Sequence, residues 1–185
     1  MAIVLPGFGW ASAQPVSNNA QPKATETKTT KVTKDNLKAR LTGKNVQFIE
    51  TRPDNEKPNP LFLLIKIVGG GADGKTPLTT TLNNGAKQEV SDLVKQLRSI
   101  FKSREDQGVF LEGKNEVDKR VTIAAGEGDI ANFDKEKIYV EDFEKLIDEL
   151  QKSGIDQISI DFVGTGTVRE INDLMPPAPP KKSTP

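Results

Sequence analysis

Residues 90 to 123, VSDLVKQLRSIFKSREDQGVFLEGKNEVDKRVTI, decide how this chain folds. Val90, Leu93, Val94, Leu97, Ile100 and Phe101 recur at the spacing of one stripe of a 3.6-residue helix. Ser91, Asp92, Lys95, Gln96, Arg98 and Ser99 fill the other face. A helix of this length is marginal alone, so the stripe needs a sheet to cover it. Each buried Leu, Ile or Phe contributes roughly 1.5–3 kcal/mol. Val109-Phe110-Leu111 and Val121-Thr122-Ile123 supply short β-prone runs for that sheet. The charged EGKNEVDKR between them, residues 112 to 120, reads as a solvated loop or hairpin tip.

Working outward, Leu61–Val68 (LFLLIKIV) is almost wholly apolar, as suits a strand at the centre of a sheet. It is expected to pair with Leu78–Leu82 (LTTTL) as a hairpin around a glycine-rich loop. Val46-Gln47-Phe48-Ile49 reads as a first strand, and Asp35–Leu41 as one short helix stopped by Gly43. Ala124–Lys137 reads as an irregular acidic connection. Val140, Phe143, Leu146, Ile147 and Leu150 then mark a second amphipathic helix, with Gly154 placed to end it. Ile158, Ile160 and Phe162 alternate with Ser159 and Asp161, the pattern of a half-buried strand with Asp161 on its wet side. The expected fold class is α+β: a two-layer sandwich in which a small mixed sheet carries two amphipathic helices on one face.

The flanks have a different composition. Met1–Ala13 (MAIVLPGFGWASA) is apolar but shorter than the roughly 20 residues that span a bilayer. Ala11-Ser12-Ala13 resembles a signal-peptidase site, so residues 1–13 are expected to be an export-signal remnant. Residues 14–44 are read as a disordered basic linker, residues 45–173 as the folded interaction domain, and residues 174–185 as a proline-rich tail.

The chain has 185 residues, with 26 basic and 26 acidic side chains and no Cys or His. Cysteine nucleophiles, Ser-His-Asp triads and the common zinc sites are therefore excluded. No aromatic interleaves the lysines of the leader to stack bases, so no nucleic-acid partner is expected. Glu127, Asp129, Asp134 and Glu136 lack the EF-hand spacing, and Asp156 and Asp161 read as surface carboxylates.

GGGADGKT, residues 69–76, matches the phosphate-binding pattern G-x-x-x-x-G-K-[ST] through Gly69, Gly74, Lys75 and Thr76. Such a loop must open a helix whose N-terminus supports the phosphates. Here Pro77 and a β-branched threonine run follow instead. A small nucleotide-binding protein is therefore the alternative reading, and no cofactor is expected.

The order Leu97-Arg98-Ser99-Ile100-Phe101, Arg104, Gly108-Val109-Phe110, Asn115-Glu116-Val117-Asp118-Lys119, then Val121 and Ile123, resembles the periplasmic domain of the ExbD/TolR biopolymer-transport family. Gly154 followed by Ile158-Ser159-Ile160-Asp161 resembles that family's last helix-to-strand step, and the likeness covers about residues 60 to 173. The resemblance implies a non-enzymatic domain on the periplasmic side of a bacterial envelope, exported or membrane-associated. It also implies a homodimer, an ExbB/TolQ-like membrane protein and a TonB/TolA-like transducer as partners. The family's transmembrane helix with its membrane-embedded Asp has no counterpart in this sequence, so a truncated chain or a soluble homologue is expected. Gln157, Ile158, Ser159, Ile160, Asp161 and Phe162 are the expected pairing edge, because an exposed strand can add an extended partner peptide.

Overall fold

A computed structural model describes residues 29–52, 61–72, 76–111 and 113–164. The expectations for residues 1–13 and 174–185 lie outside the described residues. The described elements run α1 (Lys34–Leu41), β1 (Val46–Ile49), β2 (Leu64–Gly69), β3 (Thr79–Leu82), β4 (Gln88–Glu89), α2 (Val90–Asp106), β5 (Val121–Ala124), α3 (Glu127–Phe133), α4 (Val140–Lys152) and β6 (Ile158–Asp161). They make a mixed α+β protein with a six-stranded sheet of order β1-β6-β5-β2-β3-β4. β1, β6, β5 and β2 pair in parallel, while β3 and β4 extend the sheet antiparallel.

The register explains the core. Phe48, Ile160, Ile123, Ile65 and Leu82 are successive cross-strand partners, so they form one row on one sheet face. Ile160, Ile123 and Ile65 in that row are fully buried. Against the sheet lie the two amphipathic helices read from the sequence. Leu93, Leu97 and Phe101 of α2 are buried, as are Val140, Phe143, Leu146, Ile147 and Leu150 of α4. α4 packs between α1 and α2. α2 stops where Gly108 takes φ +68°, and α4 where Gly154 takes φ +77°, both left-handed positions that glycine adopts without strain.

Several expectations are corrected. The segment taken as a disordered linker is folded from residue 29 as far as it is described. Thr33 caps α1 by accepting the Asn36 N–H (3.1 Å), and Val32, Leu37 and Leu41 enter the core. The Thr30 carbonyl accepts the Val140 N–H at 3.0 Å, and Lys31 bridges Tyr139. Three well-placed apolar side chains outweigh the polar composition around them.

Val109–Leu111 is not a strand of the main sheet. β5 already has β2 on one side and β6 on the other, so no place beside it is left. Phe110 forms only an isolated bridge with Val117 and is 46% exposed. The acidic connection after β5 contains a helix, α3, whose Phe133 packs edge-on against Phe143 at 5.6 Å. Ile158–Asp161 is a strand as expected but not an edge: β1 and β5 occupy its two sides.

Candidate interaction surface

The terminal strands of the sheet are β1 and β4. β4 has two residues and runs directly into α2, so it offers little edge. β1 is the longer edge, and it is unpaired among the described residues. The Ile49 carbonyl accepts the Phe162 N–H at 2.9 Å, so Ile49 faces inward towards β6. Backbone groups alternate sides along a strand, which turns the N–H and C=O of Phe48 and the N–H of Glu50 outward. No described strand pairs with that side.

The edge rests on a fixed platform. Phe48 stacks on Phe162 with ring centroids 5.8 Å apart and planes 12° from parallel. The Lys34 and Lys38 ammonium groups lie 5.4 and 6.0 Å from the Phe162 ring centroid. Both also pair with Glu50, Lys34 at 3.1 Å. The hydrogen bond from Lys38, then that from Lys34, holds the Glu50 carboxyl below its ordinary value. Arg52 pairs with Asp161, whose carboxylate also accepts the Val163 N–H at 3.0 Å. Asp161 is fully buried, which corrects its placement on a wet face: its charge is met by Arg52. Val163 beyond it is 44% exposed.

The residues expected to form the pairing edge are therefore mostly core. Ile158, Ile160, Asp161 and Phe162 are buried, and Ser159 is half-buried. The Gln157 carbonyl accepts the Val121 N–H at 3.0 Å, and its side-chain amide donates to Glu116 at 3.1 Å. Alternating hydrophobicity located the strand correctly. It carries no information on neighbours, and β1 reaches β6 only through a pairing over about 110 residues of chain.

The glycine-rich loop is also placed, in part. Asp73, Gly74 and Lys75 lie outside the described residues. Thr76 is exposed and its hydroxyl donates to the Gly70 carbonyl at 3.1 Å. After Pro77 the chain enters β3, and the next helix starts only at Val90. Gly69 ends β2. The loop thus leads into a strand, where a phosphate-binding loop of this pattern leads into a helix. Its first residues are anchored: the Gly70 N–H donates to the Glu136 carbonyl (3.2 Å) and the Gly71 N–H to Asp142 Oδ1 (2.7 Å). A Cβ on Gly70 would sit 1.9 Å from the Lys137 carbonyl oxygen, so only glycine fits. Asp142 Oδ2 accepts the Tyr139 N–H at 2.9 Å, one half of a capping box at the start of α4. Burial pushes the Asp142 carboxyl up, although both backbone N–H bonds favour its charge.

One polar centre escaped the sequence reading. Asp118 lies in the stretch read as wet, yet it is 3% exposed. Its carboxylate accepts Arg120 Nη2 at 2.8 Å, Arg120 Nε at 3.0 Å and the Arg120 backbone N–H at 3.1 Å. Arg104, at the end of α2 and 6% exposed, donates to the Asp118 carbonyl at 2.6 Å and to the Leu61 carbonyl. Arg104 thereby ties α2 to the segments leading into β2 and β5. Its cationic form is disfavoured by burial, which outweighs the help of Asp118.

Among the described residues, no cluster of acidic side chains could hold a metal ion, and no helix is long and apolar enough to cross a membrane. Comparison with family models, with curated proteins and with solved structures finds no match to this chain.

Proposed function

We propose that this chain is a protein-interaction domain that binds an extended partner segment by strand addition along β1. The observation that carries the reading is the outer side of β1, unpaired among the described residues, with Phe48 N–H and C=O and Glu50 N–H turned away from the sheet. Each backbone group on that side can be satisfied by an added strand. The stacked Phe48 and Phe162 keep the edge rigid, so little ordering cost falls on the domain when a partner binds. Assignment to the ExbD/TolR type rests on the residue order from Leu97 to Ile123. On that reading the domain works on the periplasmic side of a bacterial envelope as a homodimer. An ExbB/TolQ-like membrane protein and a TonB/TolA-like transducer are then its partners, and it carries out no reaction of its own.

Proline at Glu50 tests strand addition. It removes an outward N–H while leaving the β1–β6 ladder intact, and Glu50→Ala controls for the lost ion pairs. Titration with an extended peptide of the TonB/TolA-transducer type should protect the Phe48 and Glu50 amides from exchange. Glu50→Pro should weaken binding about tenfold and Glu50→Ala hardly at all. Binding that leaves those amides unprotected, or is equal in the two variants, refutes strand addition at β1.

A further inference from the structure

We propose that the cleft between the C-terminal ends of α2 and α4 is a second docking site, one that takes an acidic, extended peptide segment of a partner protein. The cleft has a volume of about 300 Å³. Arg98 and Lys102 line one wall, one helical turn apart on α2, and Lys119 comes from the segment leading into β5. Phe101 and Ile155, both buried, close its floor.

Two features point to the occupant. First, Arg98, Lys102 and Lys119 are exposed, and none has an ion-pair partner among the described residues. Along α1 and its flanks, by contrast, Lys31, Lys34, Lys38, Arg40 and Lys44 are all paired. Three unpaired cations around one depression repel one another, and carboxylates entering it reverse the sign of that term. Second, the backbone offers no anion cradle. The N–H groups of Ser153, Gly154 and Ile155 are all spent on closing α4, on Leu150 and Gln151 carbonyls. The donors are therefore the long side chains of Arg98, Lys102 and Lys119, spread round the rim, with the Glu105 carboxylate beside them as an acceptor that offsets part of their charge. That arrangement suits carboxylates spaced along a peptide better than one compact phosphate, which is favoured by converging amides. The aliphatic stems of Arg98 and Lys102 beside Phe101 add apolar surface for the partner's non-acidic residues. Gly154 is exposed, with no atom near the position a Cβ would take, so a partner backbone can approach closely there. The site shares no residue with β1 and does not depend on strand addition.

The test uses the whole chain and a labelled ten-residue peptide of alternating glutamate and leucine, with a lysine–leucine peptide and inorganic phosphate as comparison probes. Fluorescence anisotropy follows affinity, and amide chemical shifts locate the site. The expected result is binding of the acidic peptide alone, with shifts at Arg98–Glu105, Lys119 and Ser153–Ile155. The double variant Arg98→Glu, Lys102→Glu should lower affinity at least about tenfold, and raising salt from 50 to 200 mM should weaken wild-type binding. All three cations are exposed, so Lys119→Glu gives an independent check should the double variant melt early. The proposal is overturned if millimolar acidic peptide leaves those amides unmoved, if either charge reversal leaves affinity unchanged, or if phosphate or the lysine peptide binds as well. Glu50→Pro should leave this binding untouched; its loss there would also overturn the proposal.

Discussion

Replacing Asp118 with asparagine keeps the shape of the side chain and removes its charge. In the folded chain that charge meets two hydrogen bonds from the Arg120 guanidinium and lies 4.0 Å from Arg104 Nη1. Breaking a well-buried ion pair by deleting one partner typically costs about 3–5 kcal/mol. Two features reduce that figure here. The Arg120 side chain is 58% exposed, so water screens its share. Arg104 keeps the Asp118 and Leu61 carbonyls as acceptors. A loss of about 2 kcal/mol at pH 7 follows for Asp118→Asn. The pH dependence has a definite sign. Hydrogen bonding from Arg120 holds the Asp118 carboxyl below its ordinary value, so its stabilisation is full above the unfolded value of 3.8 and is lost as pH falls through the lower folded value. Urea unfolding of both proteins from pH 8 to pH 2.5 should show a constant gap down to about pH 5 that closes in acid. A gap below about 0.5 kcal/mol at pH 7, or one that widens in acid, would refute the role assigned to this carboxylate.

Gly70→Ala should cost about 3 kcal/mol or more in chemical denaturation, because the new methyl meets backbone at Lys137 with no side chain able to yield. Asp142→Ala leaves the Gly71 and Tyr139 N–H groups without their acceptor, and should cost about 2–3 kcal/mol and speed amide exchange at both. The pH sign for Asp142 is opposite to that for Asp118: burial raises its carboxyl, so its contribution weakens as pH rises from 3.8 through the raised folded value. That trend should be visible as a slope of the wild-type-minus-Asp142→Ala difference between those two values. Lys31→Ala removes an ion pair whose side chains are 65% and 58% exposed, and its melting curve should match wild type within about 0.5 kcal/mol.

The helices α2 and α4 were legible because their apolar side chains repeat at 3.6 residues and end at a left-handed glycine. The β2–β3 hairpin was legible because its two strands are close in sequence. α1 was legible as a short helix, but its membership of the core was not: Val32, Leu37 and Leu41 are spaced apolar residues in a lysine- and threonine-rich stretch, and α1 packs against α4, far along the chain. Strand order was not legible either. β1 and β6 are distant in sequence, and nothing in the alternation of Ile158, Ile160 and Phe162 announces that β1 covers that side. The charged neighbours of Asp118 give it the pattern of a solvated residue. Its burial depends on Arg104, fourteen residues back and at the far end of a helix. Sequence patterning reports local periodicity, and the site here is made by long-range pairing.

Hydrogen exchange resolved by residue in the intact chain tests the open edge most directly. The Phe48 and Glu50 amides should exchange fast in the free protein, while those of Ser159 to Phe162 exchange slowly, and added transducer peptide should slow the first pair. Slow exchange at Phe48 in the free monomer together with fast exchange along β6 would contradict the account.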